Sequence, residues 1–294
     1  MTAATPSVSV VVPTRDQASR LSVTLRAFAS QDVPRDDWEI VVVDDGSRDG
    51  TADVLAAAGD LPLRAVRTPP RGRAAARNHG VREASGELIV FCDGDRAPVP
   101  GYVRAHAEAH TGSAHRVVVG DVRELYVSDF DTRAESLAGL LTAPSGGLDR
   151  GARTPAFVKK VCGVYDSAGT TTSPVRWLSF LSGNVSLPRR LFARAGGFDE
   201  DFTEWGLEHL ELGYRLVRLG AEYRHCRSAR NHHFAHRRPV GFYEASLEAS
   251  AQVFARKHPE FPEELLLDLT LRGMSLQEFE RRAADERRAA WARS

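Results

Sequence analysis

Cysteine is scarce in this sequence, and its thiols are poorly placed for a disulfide framework or a metal site. The 294 residues include three cysteines, Cys92, Cys162 and Cys226, which are odd in number and far apart. Disulfide-stabilised folds and cysteine-ligated metal sites need paired or closely spaced thiols. We therefore expect reduced cysteines in a reducing compartment, and we predict a cytoplasmic location.

The sequence also lacks an excess of charge and a long apolar run. Its 39 basic and 39 acidic residues give a formal net charge of +0 at pH 7, so nothing indicates a polyanion partner and we expect no nucleic acid. Nowhere do about 18 apolar residues follow one another, and the first residues lack the basic and apolar regions of a leader. We expect no transmembrane segment.

Glycine is missing from the loop that follows the first predicted strand. This strand is the β-branched run at residues 8–12, and Pro13-Thr14-Arg15-Asp16 comes next. A dinucleotide-binding domain needs glycines at this point so that the pyrophosphate can approach the helix N-terminus, and a sugar nucleotidyltransferase needs them too. Their absence argues against nicotinamide, flavin and nucleotidyl-transfer roles.

What the sequence does contain is a regular alternation of apolar strands and helix-spaced segments. The predicted strands lie at residues 8–12, 38–43, 63–66 and 88–92. This alternation predicts an α/β fold with a mostly parallel, doubly wound sheet. Because parallel strands end at one edge of such a sheet, the loops that end at Thr14, Asp45 and Asp95 should form one site.

The strongest candidate site is the run L-I-V-F-C-D-G-D, which ends at Asp95. Its apolar part predicts a strand covered on both faces, and Asp93 and Asp95 follow at its carboxyl end. Two carboxylates this close repel each other unless a cation lies between them, and Gly94 leaves room for a bulky anion. The run predicts a divalent-metal site. An Asp-Gly hairpin turn is the alternative, although residues 96–100 do not look like a return strand.

The second half of the chain has a weaker pattern. Residues 129–173 show little periodicity, and we expect a long functional or mobile loop there. A short strand is predicted at 181–187, and the segment from Leu207 to Val217 has the apolar face of a helix. From residue 241 onward we expect two or three helices, packed on the protein or, as basic amphipathic helices, in peripheral contact with a membrane or a second subunit.

A series of short motifs resembles a known family. The motifs are V-V-P-T-R, V-V-V-D-D-G-S, G-R-A-A-A-R-N, C-D-G-D, G-N-V-S-L-P-R-R, G-G-F-D-E and W-G-L-E-H-L-E-L-G-Y-R-L, and they cover roughly residues 7–238. In this order they resemble a family-2 glycosyltransferase of the GT-A fold, with a C-terminal half similar to the galactosyltransferase-type segment. The resemblance implies glycosyl transfer from a nucleotide-sugar, UDP-sugar being favoured, to an unidentified acceptor.

The resemblance also implies a domain organisation and a cofactor. A GT-A domain is expected at residues 1–240, with a nucleotide-binding half at 1–120 and an acceptor-binding, catalytic half at 121–240. The resemblance does not reach residues 241–294, which we expect to form a helical extension, and a homodimer through its helices is one option. The aspartate motif of the family holds Mn²⁺ or Mg²⁺ on the donor diphosphate.

The resemblance implies a role for each residue that matches a site position of the family's motifs. The implied nucleotide and donor contacts are Pro13, Thr14, Arg15, Asp45, Arg77, Asp93, Gly94, Asp95 and Asn184, and Trp205 is implied to face the acceptor. Asp45 would accept a hydrogen bond from the base, although a helix-capping role is the alternative. Asp95 is the expected direct metal ligand. Asp93 would contact the ribose or share the metal.

A histidine pair supplies the remaining expected metal ligands. The segment N-H-H-F-A-H contains His233 and His236, which match the spacing of the family's pair, and carboxylate plus imidazole suits Mn²⁺. The alternative is a solvated basic loop that cradles the diphosphate.

The sequence departs from the family pattern at His209. Inverting members carry a glutamate followed by an aspartate that deprotonates the acceptor, and here Glu208 is followed by histidine. An imidazole with an ordinary pKa near 6.5 accepts a proton at neutral pH. We expect inverting transfer with His209, or else Glu208, as the base. The alternatives are a thiol or amine acceptor, a retaining enzyme, and a nucleotide-sugar-binding protein without transferase activity.

Overall fold

Strands and helices alternate along the chain, and the strands join in one mixed sheet. The computed structural model describes residues 7–141 and 147–292. In chain order β1 to β8 are Val8–Thr14, Trp38–Asp44, Leu63–Arg67, Leu88–Cys92, Arg96–Pro98, Arg116–Tyr126, Asn184–Pro188 and Glu222–Ala235. In the same order α1 to α11 are Ala18–Ala29, Thr51–Ala56, Arg73–Glu83, Tyr102–Ala109, Phe130–Leu140, Ala156–Val161, Arg189–Arg194, Glu208–Arg218, Phe242–Lys257, Glu263–Thr270 and Leu276–Ala292.

The strand order across the sheet is β3-β2-β1-β4-β7-β6-β8-β5. β3, β2, β1 and β4 pair in parallel, as do β6 and β8. β7 is antiparallel to both neighbours, and β5 is antiparallel to β8. Six of the eight strands therefore run in one direction, and the predicted, mostly parallel α/β sheet is confirmed.

The first strands are apolar on both faces because helices cover both faces of the sheet. On one face, Val10 and Val42 pack in a cluster with Leu25 of α1. On the other face, Val11 and Ala76 share a cluster with residues of α3 and the second half of the chain. The sheet is thereby held between two layers of helices, and its loops are left to form the site.

The expectation of a long loop at residues 129–173 is wrong. This stretch contains α5 and α6, while residues 142–146 lie outside the described chain. Phe130 and Leu137 of α5 are buried in a cluster with Ala97 and Phe234. Helices this short show little periodicity, and tertiary packing rather than sequence propensity stabilises them.

The C-terminal helices share a hydrophobic cluster with the second half of the chain, as the packed-helix interpretation predicts. Trp177 is stacked on Phe254 of α9 with ring centroids 5.8 Å apart, and Phe261 and Phe279 contact the same indole. Burial of these rings fixes α9, α10 and α11 on the body of the protein.

The helices of the described chain include none with the length and apolar character needed to cross a bilayer.

A buried polar network lies between α4 and the sheet. His106 pairs its Nδ1 with Ser186 Oγ at 2.8 Å, and His110 pairs its Nε2 with the same hydroxyl at 2.8 Å. Burial lowers the pKa of His106 to about 4. Burial and the nearby His106 lower the pKa of His110 to about 3. Both imidazoles are therefore neutral in the folded protein at neutral pH.

The lowered pKa values of these two histidines predict that the folded protein loses stability in acid. Below the ordinary pKa of 6.5 the unfolded chain binds protons that the folded chain does not, so the free energy of unfolding falls as pH falls from 6.5 toward 4. Each imidazole contributes at most about 1.4 kcal/mol per pH unit in this window. In His110→Gln the slope of unfolding free energy against pH, measured by urea denaturation, should be shallower by about 1 kcal/mol per pH unit.

The matched control for this experiment is His115→Gln, which replaces an exposed histidine. It should leave the slope unchanged. Equal slopes for His110→Gln and the wild-type protein would show that His110 does not contribute to acid sensitivity.

Candidate active site

The loops that follow β1, β2 and β4 lie side by side at one edge of the sheet. The amide of Asp45 donates to Thr14 O at 2.9 Å, and the amide of Gly94 donates to Pro13 O at 3.2 Å. A Cβ at position 94 would lie 3.1 Å from Thr14 Oγ1. Only glycine therefore lets the loop after β4 pass this close to the loop after β1 without moving neighbouring atoms. The predicted convergence of the three loops is therefore observed.

A first cavity of about 560 Å³ opens at this edge. The predicted site residues that line it are Pro13, Thr14, Arg15, Asp45, Arg77, Asp93, Asp95, Trp205, His233 and His236. Residues from positions 13 to 238 of the sequence thus meet in one concave surface, of the size usual for small-ligand sites.

A second cavity of about 510 Å³ adjoins the first. The two share Arg73, Arg77, Asp93, Arg96, Trp205 and Tyr243. The second cavity is lined in addition by Glu208, His209, residues 181–183 and residues of α9 and α10. The predicted base candidates and the predicted metal ligands therefore lie in adjoining spaces.

The prediction for Asn184 is corrected. Its side chain is fully buried and lines neither cavity. Its amide donates to Asp121 O and Ala229 O, and its Oδ1 contacts His106 Nε2 at 3.0 Å. β7 begins at Asn184 rather than at residue 181, so the residues just before the strand face the cavity and Asn184 belongs to the interior network.

Three predicted metal ligands come together in the first cavity. The ligand atoms of Asp95, His233 and His236 all lie within 4.8 Å of one another. His233 Nε2 is 3.5 Å and His236 Nδ1 is 3.9 Å from Asp95 Oδ2. Asp95 directly precedes β5. The antiparallel pairing of β5 with β8 sets Arg96 beside His233, and this pairing brings Asp95 close to the two histidines.

The cluster fits a divalent cation. Asp95 Oδ1 and His236 Nδ1 are buried and have no hydrogen-bond partner among the described residues. Burial would raise the pKa of the Asp95 carboxyl, but His233, Arg96 and His236 together lower it below its usual range. An ionised carboxylate with two imidazoles is a donor set suited to Mn²⁺.

Asp93 lies outside this cluster, and its contact with the ribose or share in the metal stays a prediction. One of its oxygens accepts a hydrogen bond from Arg77 Nη2 at 2.8 Å, and the other contacts Arg96 Nε at 3.4 Å. Burial acts to raise the pKa of Asp93, and the two arginines outweigh it, so the pKa is lowered. Asp93 acts as an anchor for two arginines that line both cavities.

Glu124 is a residue of the candidate site that sequence reasoning missed. β6 and β8 pair in parallel with Glu124 beside His233, and Glu124 Oε1 lies 3.2 Å from His233 Nδ1. The carboxylate thereby directs the other ring nitrogen of His233 toward Asp95. Carboxylates that hold a ligating histidine in this way tune metal affinity.

We expect Glu124→Ala to weaken Mn²⁺ binding by about 10-fold to 100-fold, because His233 loses the partner that fixes its orientation. Glu124→Gln keeps a hydrogen-bond acceptor and should retain most of the affinity. Isothermal titration with Mn²⁺ in the presence of nucleoside diphosphate measures both. Equal affinities for the alanine variant and the wild-type protein would exclude this role.

Arg77 joins the two halves of the site. Its guanidinium is buried and donates to Asp93 and, at 3.1 Å, to Glu208 Oε1. Burial acts to raise the pKa of Glu208, but His209, Arg73 and Arg77 lower it below its usual range. Glu208 is therefore an ionised, buried carboxylate, which is a weak proton acceptor.

His209 is better placed than Glu208 to meet a ligand. Its Nδ1 lies 3.6 Å from Glu208 Oε2, while 17% of its side chain is exposed in the second cavity. Both residues open α8, directly after Leu207, which adopts φ +64. A non-glycine residue in this left-handed region costs roughly 1 kcal/mol, and such strain is common at functional sites.

Asp45 and Asp49 have separate local roles. The two carboxylate oxygens of Asp45 accept hydrogen bonds from the amides of Arg71 and Gly72, just before α3. Asp49 accepts hydrogen bonds from the amides of Ala18 and Thr51. Asp49 therefore ties the start of α1 to the start of α2, and Asp45 orders the loop that precedes α3.

Four other residues of the site were also missed by sequence reasoning. Arg73 stands in the G-R-A-A-A-R-N motif and Arg96 follows the paired aspartates, so their positions could have indicated them. Tyr243 and Glu244 belong to α9, beyond the motifs, and only the packing of that helix brings them to the second cavity.

Comparison with known proteins agrees with this geometry. Residues 9–162 match the family model of glycosyl transferase family 2, and residues 167–237 match the N-terminal domain of galactosyltransferase. A validoxylamine A glucosyltransferase of Streptomyces hygroscopicus subsp. jinggangensis is 36% identical over 277 residues, 92% of this chain and 65% of the relative. A hyaluronan synthase of Pasteurella multocida is 30% identical over 231 residues, 73% of this chain and 23% of the relative.

Solved structures share the fold at lower identity. A mannosyltransferase of Pyrobaculum calidifontis in complex with GDP-Man and Mn²⁺ has a TM-score of 0.59 at 22% identity, over 98% of this chain and 76% of that chain. GalNAc-T7 with UDP, GalNAc and Mn²⁺ has a TM-score of 0.62 at 14% identity, over 96% of this chain and 54% of that chain. The chain therefore belongs to glycosyl transferase family 2 and has a GT-A-like fold, and it spans 65% of the length of the validoxylamine A glucosyltransferase.

Proposed function

We propose that this glycosyltransferase moves a sugar from a UDP-sugar to an acceptor hydroxyl, with Mn²⁺ or Mg²⁺ and with inversion at the anomeric carbon. The observation that carries the proposal is the cluster of Asp95, His233 and His236 in a cavity that adjoins the one containing His209. A cation site and a candidate base on either side of shared arginines are what diphosphate departure and acceptor attack require.

The donor is assigned to the first cavity. Asp95, His233 and His236 would hold the cation, which neutralises the negative charge that develops on the departing diphosphate. Arg73 lines both cavities and makes no hydrogen bond or ion pair with the described residues, so it is free to bind a phosphate oxygen. Asp45 would accept from the base, since each oxygen of a carboxylate can accept a second hydrogen bond.

The choice of a UDP-sugar is supported by complexes of proteins that share the fold. Structures with this fold include complexes with UDP-GlcNAc and UDP as well as one with GDP-Man. The glucosyltransferase relatives name glucose as the transferred group, and other relatives are named for chondroitin or hyaluronan.

The acceptor is assigned to the second cavity, with His209 as the base. The acceptor oxygen bonds to C1 of the sugar while the bond from C1 to the β-phosphate oxygen breaks, and its electrons leave with the diphosphate. The hydroxyl proton passes to Nε2 of His209. Glu208 faces Nδ1 and stabilises the charged imidazole, as a carboxylate does in a catalytic triad.

A donor panel tests the proposal. The protein is incubated with Mn²⁺ and UDP-glucose, UDP-galactose, UDP-GlcNAc, UDP-GalNAc or GDP-mannose, and nucleotide products are separated by chromatography. We expect slow release of UDP from one UDP-sugar, removed by chelation of the metal. Pyrophosphate release would indicate nucleotidyl transfer, and tight donor binding without any release would indicate a binding protein.

A further inference from the structure

The second cavity contains more charged groups than the proposed chemistry uses. Most of these groups are paired with each other: Arg77 with Asp93 and Glu208, Arg96 with Asp93, and His209 with Glu208. Among the residues that line the cavity, Arg73 and Glu244 make no hydrogen bond or ion pair with any described residue. One cation and one carboxylate are therefore available to ligands.

The two available charges do not face the same space. Arg73 lines both cavities, while Glu244 lines the second cavity alone. The carboxylates of Glu208 and Asp93 already act electrostatically on Arg73, and a donor diphosphate in the first cavity would supply it with oxygen atoms to which it can donate hydrogen bonds. Glu244 is an exposed carboxylate in the first turn of α9 and lines the second cavity without a side-chain partner among the described residues. Charge complementarity on this side of the cavity favours a cation.

Aromatic rings stand beside this carboxylate. Trp205 and Tyr243 line the cavity with ring centroids 4.9 Å apart and planes inclined at 72°, so their faces point in different directions. Phe157 and Leu247 complete an apolar wall. A carboxylate next to aromatic faces is the usual arrangement for binding an ammonium group, through charge and cation–π attraction together.

We propose that the acceptor is a small molecule that carries a protonated amine beside its reacting hydroxyl, and that Glu244 binds this amine. The inference rests on the proposed function, and it assigns acceptor selection to α9, a helix that begins after residue 237, where the matched family regions end. The amine is protonated and serves for recognition, so the hydroxyl oxygen remains the nucleophile.

Matched acceptor pairs test this assignment. Glucosamine and streptamine are each compared with the hydroxyl analogue, glucose and scyllo-inositol, by UDP release and by mass of the product with the active UDP-sugar. For the wild-type enzyme we expect kcat/KM to be at least about tenfold higher for the amine in a pair. In Glu244→Gln, which keeps the size of the side chain, the preference should fall to near unity.

Glu248→Gln is the matched control, because Glu248 lies one turn further along α9, is exposed and lines neither cavity. It should retain the wild-type preference. Equal use of amine and hydroxyl acceptors by the wild-type enzyme would overturn the inference, and so would an unchanged preference in Glu244→Gln. If UDP is released from the donor but no amine in the panel is glycosylated, the inference fails while the proposed function stands. If no UDP-sugar is cleaved, the proposed function itself fails.

Discussion

Replacing Asp95 by asparagine is expected to lower metal-dependent turnover by at least about 10²-fold to 10³-fold, a loss of roughly 3 to 4 kcal/mol of transition-state stabilisation. Asp95 is the carboxylate that links His233 and His236, and asparagine keeps its size while it removes the charge. The measurements are kcat for release of UDP and the Mn²⁺ affinity from titration, which should fall together.

His232→Gln is the control for this experiment. His232 is adjacent to His233 on β8, but its Nε2 contacts Asp149 at 2.9 Å instead of Asp95. Its replacement should leave Mn²⁺ affinity within about twofold of wild type once folding is confirmed by thermal unfolding, since it removes no ligand and no orienting partner. Turnover that persists within a few-fold in Asp95→Asn, or that survives chelation, would show that the site at Asp95 does not serve the reaction.

Replacing His209 by alanine is expected to lower the transfer rate by about 10²-fold or more, because the general base that accepts the proton of the acceptor hydroxyl is removed. Binding of UDP and Mn²⁺ should be retained, since His209 lines the second cavity and not the first. The pH dependence of kcat/KM should change in the variant, because the group that accepts the proton of the acceptor is removed. Single-turnover transfer to an active acceptor separates this chemical step from product release.

Glu208→Gln distinguishes a base from a partner of the base. If Glu208 orients His209, the glutamine variant should lose roughly tenfold in kcat and keep the same form of pH profile. If Glu208 is itself the base, this variant should be at least as inactive as His209→Ala. A pH profile that is unaltered in His209→Ala would count against the histidine.

The residues at the strand ends were predictable because their position follows from local pattern. An apolar run of strand length followed by polar residues specifies where a parallel strand ends, and parallel strands end at one edge. Thr14, Asp45 and Asp95 therefore meet where the sequence indicates. The histidine pair was also found in advance, although His233 belongs to β8 itself and does not follow it, since that strand is longer than its apolar pattern.

The partners of these residues were not predictable, because they depend on which strands and helices become neighbours. Glu124 contacts His233 through the register of β6 on β8, and that register shifts between Gly120 and Asp121. Asn184 points away from both cavities because β7 begins later than its apolar pattern indicates. A shift of one residue in a strand reverses the direction of every side chain, and no local signal fixes it.

The sequence by itself determined the family, the α/β sheet and the carboxylate at the end of its fourth strand, because these depend on residues close together in the chain. Only the tertiary structure decided that Asp93 binds arginines while Asp95 joins two histidines, and that α9 brings Tyr243 and Glu244 into the second cavity. Side-chain pairing at that distance is set by strand register and by the burial of apolar helix faces, and both are properties of the whole fold.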